Sequence, residues 1–250
     1  MFFDLAPKGA LLADANAELV DCYTAVRDCV DEVIEALRRH TYREEHYYAI
    51  RAQSPSELEL PARAARTIFL NRSGFNGLYR VNRTGAFNVP FGRYTNPTLC
   101  DAPNLRACAE ALHGVELKCC DFADAVRTAR RGDFVYLDPP YIPVSETANF
   151  TRYAMGGFAM EQHARLAKVF ETLSVRGVSA VLSNSNSATV RKLYRDYEIQ
   201  AVSAARSINS DPAARGKVKE LVVTNRKRNS RAEPEPARLP DPHCLPNARR

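Results

Sequence analysis

Short apolar runs alternate along this chain with longer stretches of helical periodicity. From Ala17 to Leu37 the apolar residues recur at the spacing of one helix face, and similar patterns predict helices over 105–112 and 158–176. The apolar runs predict strands at 10–13, 115–120, 134–137, 177–183, 198–202 and 218–224. Strands that alternate with helices favour an α/β fold built on a mostly parallel sheet.

Composition narrows the class of protein without identifying it. The 250 residues suffice for one sizeable core, with room for an inserted subdomain. We find no apolar run that would span a bilayer and no secretory leader, so we expect a cytoplasmic protein without membrane association. Seven cysteines occur without a Cys-x-x-Cys pair, which predicts neither a disulfide framework nor a metal site.

Charge is unevenly distributed. The formal net charge is +6, which favours a polyanionic partner. Between Arg63 and Cys100 the sequence contains six arginines and no acidic residue (Arg63, Arg66, Arg72, Arg80, Arg83, Arg93). We therefore expect this region to contact phosphates.

The run Phe134–Leu137 ends in Asp138, Pro139, Pro140 and Tyr141, at the sheet edge where α/β folds bind ligands. The two prolines stiffen the segment and lack backbone donors. The Asp138 carboxylate and the Pro139 carbonyl can then accept both hydrogens of an exocyclic amine whose ring stacks on Tyr141. Taken alone, the motif is also compatible with a strand that simply stops at a proline.

Asp-Pro-Pro-Tyr after an apolar strand resembles the catalytic motif of amino-methyltransferases that use S-adenosylmethionine. The wider sequence, over about residues 1–225, resembles the Dam-type (D12 class) DNA adenine-N6 methyltransferases. The segment from Asn71 to Tyr94 is similar to their target-recognition hairpin, and Gly, Asn and Arg between alternating apolar residues independently favour a hairpin. A solvated hairpin with exposed arginines is the structural alternative.

The resemblance assigns roles to individual residues. Catalysis would rest on Asp138, Pro139, Pro140 and Tyr141, and contacts with double-stranded DNA would come from Arg72, Phe75, Asn76, Leu78, Arg80, Asn82, Arg93 and Tyr94. Arg80 would read a guanine in the major groove, and Phe75 would act as a wedge beside the flipped base. Asp14 would accept ribose hydroxyls, Asp121 and Phe122 would hold the cofactor's adenine, and Asp138 would also contact S-adenosylmethionine. Asp14 and Asp121 could instead be simple helix N-caps.

This chain departs from the family at one element. No Gly-x-Gly or Gly-Gly precedes Asp14, so the family's first strand and Gly-rich cofactor loop have no counterpart. We interpret this as a clipped reading frame, which coding sequence upstream of Met1 would restore. The alternative is a non-catalytic DNA-binding remnant.

The resemblance implies a Rossmann-like sheet, with its first strand missing, and an inserted helical and β-hairpin DNA-recognition subdomain. The expected domains are 1–39 with 106–225 (catalytic), 40–105 (target recognition) and 226–250 (disordered tail). Residues 142–157 are expected to form a mobile loop, and 205–217 a loop near the DNA backbone. The implied enzyme is a site-specific adenine methyltransferase that acts as a monomer and associates with the nucleoid. The family suggests GATC as its site and restriction-modification as one biological context. Similar motifs also serve RNA methyltransferases, which leaves RNA as an alternative substrate.

Overall fold

The computed structural model describes residues 1–82, 84–143, 158–205 and 217–227. Its α-helices are α1 (Phe2–Leu5), α2 (Ala17–Asp28), α3 (Val30–Arg38), α4 (Glu44–Ala52), α5 (Leu60–Ser73), α6 (Ala102–Leu112), α7 (Phe122–Ala125), α8 (Met160–Val175) and α9 (Ala188–Leu193). The strands are β1 (Leu11–Asp14), β2 (Glu116–Cys119), β3 (Phe134–Leu137), β4 (Ser179–Ser185), β5 (Tyr197–Ala205) and β6 (Lys217–Lys227). The predicted mixture of helices and strands is confirmed, with boundaries that shift by a few residues.

The strands form two sheets. β1 and β2 pair in parallel, and β3, β4, β6 and β5 form a second sheet in that spatial order. β3 runs parallel to β4, whereas β6 is antiparallel to both β4 and β5. Within the described ranges, β1 pairs only with β2 and β3 only with β4, so each has an unpaired edge. Two aromatic side chains on one face of β3 are exposed, Phe134 by 54% and Tyr136 by 40%.

The single helix predicted over 17–37 is observed as α2 and α3. Cys29 separates them with φ −147° and ψ 48°, outside the helical region. Its amide still donates to the Ala25 carbonyl, so α2 ends with its last hydrogen bonds satisfied. The bend allows both helices to pack against α5. Apolar periodicity is similar on the two sides of such a bend, which explains why the sequence pattern did not reveal it.

Two apolar clusters form the core. The first joins α2 and α3 to α5 and includes Val33, Leu37, Tyr47 and Phe69. The second packs α8 against the four-stranded sheet and includes Leu137, Ile142, Leu166, Phe170 and Leu182. Phe122, which begins α7, packs against this second cluster although it follows a strand of the two-stranded sheet. The boundaries at 39/40 and 105/106 stay a prediction.

The predicted hairpin over 71–94 is less regular than expected. α5 continues to Ser73, a single 3-10 turn spans Phe75–Gly77, and the antiparallel pairing is limited to two bridges, Gly74 with Phe91 and Val81 with Phe87. Backbone hydrogen bonds still join the two arms, from the Phe75 amide to the Pro90 carbonyl at 2.9 Å and from the Asn88 amide to the Arg80 carbonyl at 2.9 Å. Side chains add to them: the Tyr47 hydroxyl donates to the Val89 carbonyl at 2.8 Å, and the Tyr94 hydroxyl to the Gly74 carbonyl at 2.9 Å. Backbone and side-chain hydrogen bonds together therefore hold this segment.

The described residues leave some predictions open. The predicted loops at 142–157 and 205–217 fall almost entirely outside them, at 144–157 and 206–216. Residues 226 and 227 belong to β6, and the rest of the predicted tail lies outside the described residues. No helix in the described part of the chain is both long and apolar enough to cross a membrane.

Candidate functional site

Asp138 is exposed directly after β3, and its carboxylate is oriented by the neighbouring strand. In the parallel pairing of β3 with β4, Leu137 lies opposite Leu182, which brings Ser183 beside Asp138. The Ser183 hydroxyl donates to Asp138 Oδ1 at 2.6 Å and lies 3.0 Å from the Tyr136 hydroxyl. The carboxylate is thus accessible and already accepts one hydrogen bond.

The segment that follows Tyr141 is held at Ile142. The buried Asn184 side chain accepts from the Ile142 amide at 3.0 Å through Oδ1, and the Ser185 hydroxyl donates to the Ile142 carbonyl at 2.5 Å. Because Pro139 and Pro140 have no N–H, they cannot donate backbone hydrogen bonds of their own. The end of β4 therefore fixes the Asp138–Tyr141 segment from both sides.

Tyr141 is half-buried beside the same serine. Its hydroxyl donates to Glu220 Oε2 at 3.3 Å and lies beside the Ser183 hydroxyl. Burial raises the pKa of the phenol above its usual value, while the Ser183 contact acts in the opposite direction. The phenol therefore stays neutral at physiological pH.

The two acidic residues predicted to contact a nucleoside follow adjacent strands. Asp14 ends β1 opposite Cys119, and Asp121 begins the turn after β2, so both lie at the carboxyl end of the parallel pair. Asp121 is the N-cap of α7 and accepts from the Ala123 amide at 2.9 Å. For α2 the cap is Asn16, and Asp14 accepts from the Asn16 amide at 2.7 Å. The capping role is confirmed for Asp121, whereas Asp14 supports the cap residue.

Arg165 of α8 contacts the two side chains that were predicted to hold adenine, Asp121 and Phe122. Its guanidinium makes a bidentate ion pair with Asp121, at 2.6 and 2.7 Å, and its central carbon lies 4.7 Å from the centroid of the Phe122 ring. The hydrogen bond from Arg165 holds the pKa of Asp121 below the usual carboxyl range. Asp121 is therefore a carboxylate at neutral pH and can accept from a planar donor.

Arg80, the predicted guanine reader, is exposed and oriented by Asn88. Its Nε donates to Asn88 Oδ1 at 2.7 Å, and one terminal nitrogen donates to the Asn88 carbonyl at 3.0 Å. Arginine has five N–H donors, so three remain for a ligand. The contact restricts the rotamers of Arg80 while leaving the end of the fork accessible.

The other predicted DNA contacts divide into two kinds. Phe75, Leu78 and Tyr94 are exposed by 44%, 36% and 38%, and Arg72 and Arg93 are also exposed. Asn82 instead organises the turn, because its Oδ1 accepts from the Thr84 amide, the Thr84 hydroxyl and the Ala86 amide. Asn76 adopts φ 54°, a left-handed conformation that asparagine tolerates better than most residues.

The acid-free region contains fewer available arginines than its sequence indicates. Arg66 is buried and donates to two carbonyls at the end of α4, at 3.1 and 3.2 Å. Arg63 pairs with Asp21 and donates to the carbonyls of Pro55 and Leu58. These two therefore have structural roles, and Arg72, Arg80 and Arg93 form the exposed basic set, with Arg83 outside the described residues.

Tyr79 links the recognition segment to the edge that contains Asp14. Burial raises the pKa of its phenol, the neighbouring Asn16 side chain acts in the opposite direction, and its electrostatic neighbours include Asp14 and Glu18. Five residues of these contacts were not predicted from the sequence: Tyr79, Asn88, Arg165, Ser183 and Asn184. Ser183 and Asn184 did give a signal, since a polar run at the end of a predicted buried strand needs hydrogen-bond partners.

The chain matches one known protein family over most of its length. A family model described as D12 class N6 adenine-specific DNA methyltransferase matches residues 1–208. The chain belongs to this family. It is 42% identical over 236 residues to the Type II methyltransferase M1.LlaDCHI of Lactococcus lactis subsp. cremoris, an alignment covering 90% of this chain and 82% of that protein.

Two further relatives point the same way. The Type II methyltransferase M.MjaIII of Methanocaldococcus jannaschii is 37% identical, over 87% of this chain and 80% of its own length. The DNA adenine methylase of Escherichia coli K12 is 38% identical, over 85% and 78%. The predicted family is confirmed, and with it an adenine-specific DNA methyltransferase activity.

Proposed function

We propose that this D12-class enzyme transfers a methyl group from S-adenosylmethionine to N6 of an adenine that is flipped out of duplex DNA, with Asp138, Pro139, Pro140 and Tyr141 at the reacting amine. The observation that carries the proposal is the exposed Asp138 carboxylate, oriented by Ser183 and followed by two prolines and Tyr141. Flipping is required because N6 is inaccessible to an enzyme inside the duplex.

The role of the motif follows from the chemistry of an aromatic amine. The N6 lone pair is delocalised into the purine ring and is a poor nucleophile. When the Asp138 carboxylate and the Pro139 carbonyl accept its two hydrogens, that delocalisation decreases and the lone pair becomes available. Stacking on Tyr141 would hold the ring in place. The protein acts here by positioning more than by proton abstraction.

The described residues fit the nucleoside part of the cofactor. Asp14 and Asp121 are carboxylates at the carboxyl end of adjacent parallel strands, and Phe122 offers an aromatic face. They would hold the ribose hydroxyls and the adenine of S-adenosylmethionine, and Asp138 would also contact the cofactor. When bound, the cofactor supplies an electrophilic methyl group on a sulfonium, so the chemistry requires neither a metal nor a covalent intermediate.

DNA recognition is proposed for the segment 72–94. Exposed Arg80 supplies donors for a guanine, Phe75 and Leu78 supply an apolar wedge, and Arg72 and Arg93 supply phosphate contacts. Asn76, Asn82 and Tyr94 would set the position of this surface. We further propose a Rossmann-like arrangement with an inserted recognition subdomain, a monomer, a cytoplasmic location and a GATC-like site.

Substitution of Asp138 tests the proposal. We expect Asp138→Ala to lower methyl incorporation into duplex DNA by at least about 100-fold, since an oriented acceptor at the reacting group is lost. DNA retention in a gel-shift assay should remain within about two-fold, because phosphate contacts dominate affinity. Asp133→Ala removes another exposed carboxylate, which within the described residues accepts one hydrogen bond, from the Arg130 amide, and is the matched control. Unchanged turnover in Asp138→Ala would remove this residue from the mechanism.

One observation favours a second candidate, a DNA-binding protein that does not hold the cofactor productively. Among the described residues, β1 and β3 each have an unpaired edge, and the residues suited to the nucleoside belong to a separate two-stranded sheet. Arg165 also occupies Asp121. Calorimetric titration with S-adenosylmethionine separates the two candidates: an enzyme binds it, whereas the second candidate retains DNA without measurable cofactor binding.

A further inference from the structure

Ser183 lies at the centre of a hydrogen-bonded group that ends at the proposed catalytic carboxylate. It is 7% exposed, and its hydroxyl contacts Asp138, Tyr136 and Tyr141. A serine hydroxyl has one hydrogen and two acceptor sites. Because an ionised carboxylate can only accept, the hydrogen of Ser183 must point to Asp138 Oδ1.

The direction of the contact with Tyr136 follows. With its own hydrogen committed to Asp138, the Ser183 hydroxyl can only accept, and the Tyr136 hydroxyl donates to it at 3.0 Å. The hydrogen of Tyr141, the other neighbour, is directed to Glu220 Oε2. The chain therefore runs from Tyr136 to Ser183 to Asp138, and each donor polarises the next. Tyr136, where the chain begins, is 40% exposed.

This arrangement determines which oxygen of Asp138 is available to a substrate. Oδ1 accepts from Ser183, whereas no hydrogen bond to Oδ2 occurs within the described residues. An amine that approaches Asp138 would then meet Oδ2 in one fixed rotamer, since rotation of the carboxylate would break the 2.6 Å hydrogen bond. A freely rotating aspartate would lose side-chain entropy on binding.

We propose that Ser183 is a positioning residue for methyl transfer: the directed chain Tyr136–Ser183–Asp138 fixes the carboxylate so that Oδ2 receives one hydrogen of the target amine. This inference rests on the proposed function of Asp138 and extends it to a residue 45 positions away in sequence. Asn184 and Ser185 hold Ile142 at the other end of the motif, so this short part of β4 supports the motif at both ends.

A double-mutant cycle tests the proposal. We expect Ser183→Ala to lower kcat about 10- to 100-fold, the value of a hydrogen bond to a charged group, with little change in KM for DNA. Tyr136→Phe should lower kcat only a few-fold, because Ser183 still donates to Asp138. In the Ser183→Ala background, Tyr136→Phe should add nothing, since its effect passes through Ser183.

The controls separate positioning from folding. Ser183→Thr keeps the hydroxyl and should restore most of kcat. Ser174→Ala removes a hydroxyl that donates to the Asn225 carbonyl and contacts Tyr197, away from Asp138, and should leave kcat unchanged. Thermal unfolding of each variant is measured alongside. Ser183→Ala turnover equal to wild type, additive effects in the double mutant, or a kcat loss in Ser183→Ala that hydroxyl-retaining Thr does not restore despite wild-type stability would each overturn the proposal. Absence of methyl transfer by the wild-type chain would instead refute the proposed function, and the inference with it.

Discussion

Arg165 and Asp121 form a bidentate ion pair, with nitrogen–oxygen distances of 2.6 and 2.7 Å, while the same guanidinium stacks on Phe122. A planar group with two parallel N–H donors over an aromatic ring is chemically close to the adenine amino edge that Asp121 and Phe122 are proposed to bind. The protein thus satisfies these two side chains internally. A nucleoside must displace Arg165 before it can use them.

Removal of Arg165 should therefore strengthen nucleoside binding. We expect Arg165→Ala to lower the Kd for S-adenosylhomocysteine about two- to five-fold, a modest effect because exposed ion pairs are weak. Lys168→Ala, which removes an exposed cation from the same helix, controls for net charge. Calorimetry at low and high salt checks the explanation, since salt should reduce the difference between wild type and variant. Weaker binding by Arg165→Ala would mean that Arg165 assists the ligand.

Substitutions of Arg80 and of Arg93 should affect DNA binding in different ways. Arg80→Ala should cost about 1–3 kcal/mol of discrimination at one base pair, because the bidentate contact proposed between Arg80 and a guanine would be lost. Arg93→Ala should weaken binding to all sequences about equally and reduce the salt dependence. Competition binding with single-base variants of the preferred duplex distinguishes these outcomes. Equal discrimination by both variants would contradict the assignment of Arg80.

Asn88 provides a finer test of the same contact. It holds Arg80 through its side-chain oxygen and its carbonyl, at 2.7 and 3.0 Å. Asn88→Ala removes only the first of these hydrogen bonds. We expect discrimination intermediate between wild type and Arg80→Ala, with affinity for non-specific DNA unchanged. Discrimination as poor as in Arg80→Ala would mean that Asn88 does more than orient the arginine.

His40 should make the free energy of unfolding of this protein decrease at acidic pH. Burial, with a smaller contribution from His46 whose Nε2 lies 3.0 Å away, lowers its pKa from 6.5 to about 4. The unfolded chain therefore binds a proton at this site more readily than the folded protein. Its contribution to stability is full above pH 6.5 and decreases as the pH falls towards 4.

Unfolding experiments check this expectation. His40→Gln should make the free energy of unfolding less dependent on pH between 6.5 and 4. The same substitution at His113, in the turn after α6, serves as the control. His163, whose pKa burial also lowers, contributes a background slope common to all variants. An unchanged slope in His40→Gln would show that this histidine is not the acid-sensitive group.

Gly92 should tolerate no side chain. An added Cβ would lie 2.5 Å from the Tyr94 ring and 3.0 Å from the carbonyl oxygens of Ser73 and Gly74. We expect Gly92→Ala to destabilise the protein by about 1–3 kcal/mol, the usual cost of overpacking. Denaturant unfolding measures this directly. Stability within error of wild type would show that Tyr94 moves aside freely.

Local pattern predicted much of the fold and the centre of the site. Phe134–Leu137 is a strand, Asp138 follows it as expected, and the helix that begins near residue 158 was correctly found. The break at Cys29 and the division into two sheets were missed, because hydrophobic periodicity reports which residues are buried and not how elements pair. Ser183 and Arg165 contact residues 45 and 44 positions away, and local pattern contains no information on such pairs.

The contact between the Tyr79 hydroxyl and the Asn16 side chain has a thermodynamic consequence. Tyr79 lies within the surface proposed for DNA. The backbone amide of Asn16 donates a hydrogen bond to Asp14, a proposed ribose contact. If duplex DNA and the nucleoside each stabilise or weaken this shared contact, each changes the affinity of the protein for the other. The factor is the same in both directions. The factor by which duplex DNA changes the Kd for the nucleoside measures this coupling. We expect Tyr79→Phe to bring that factor closer to one.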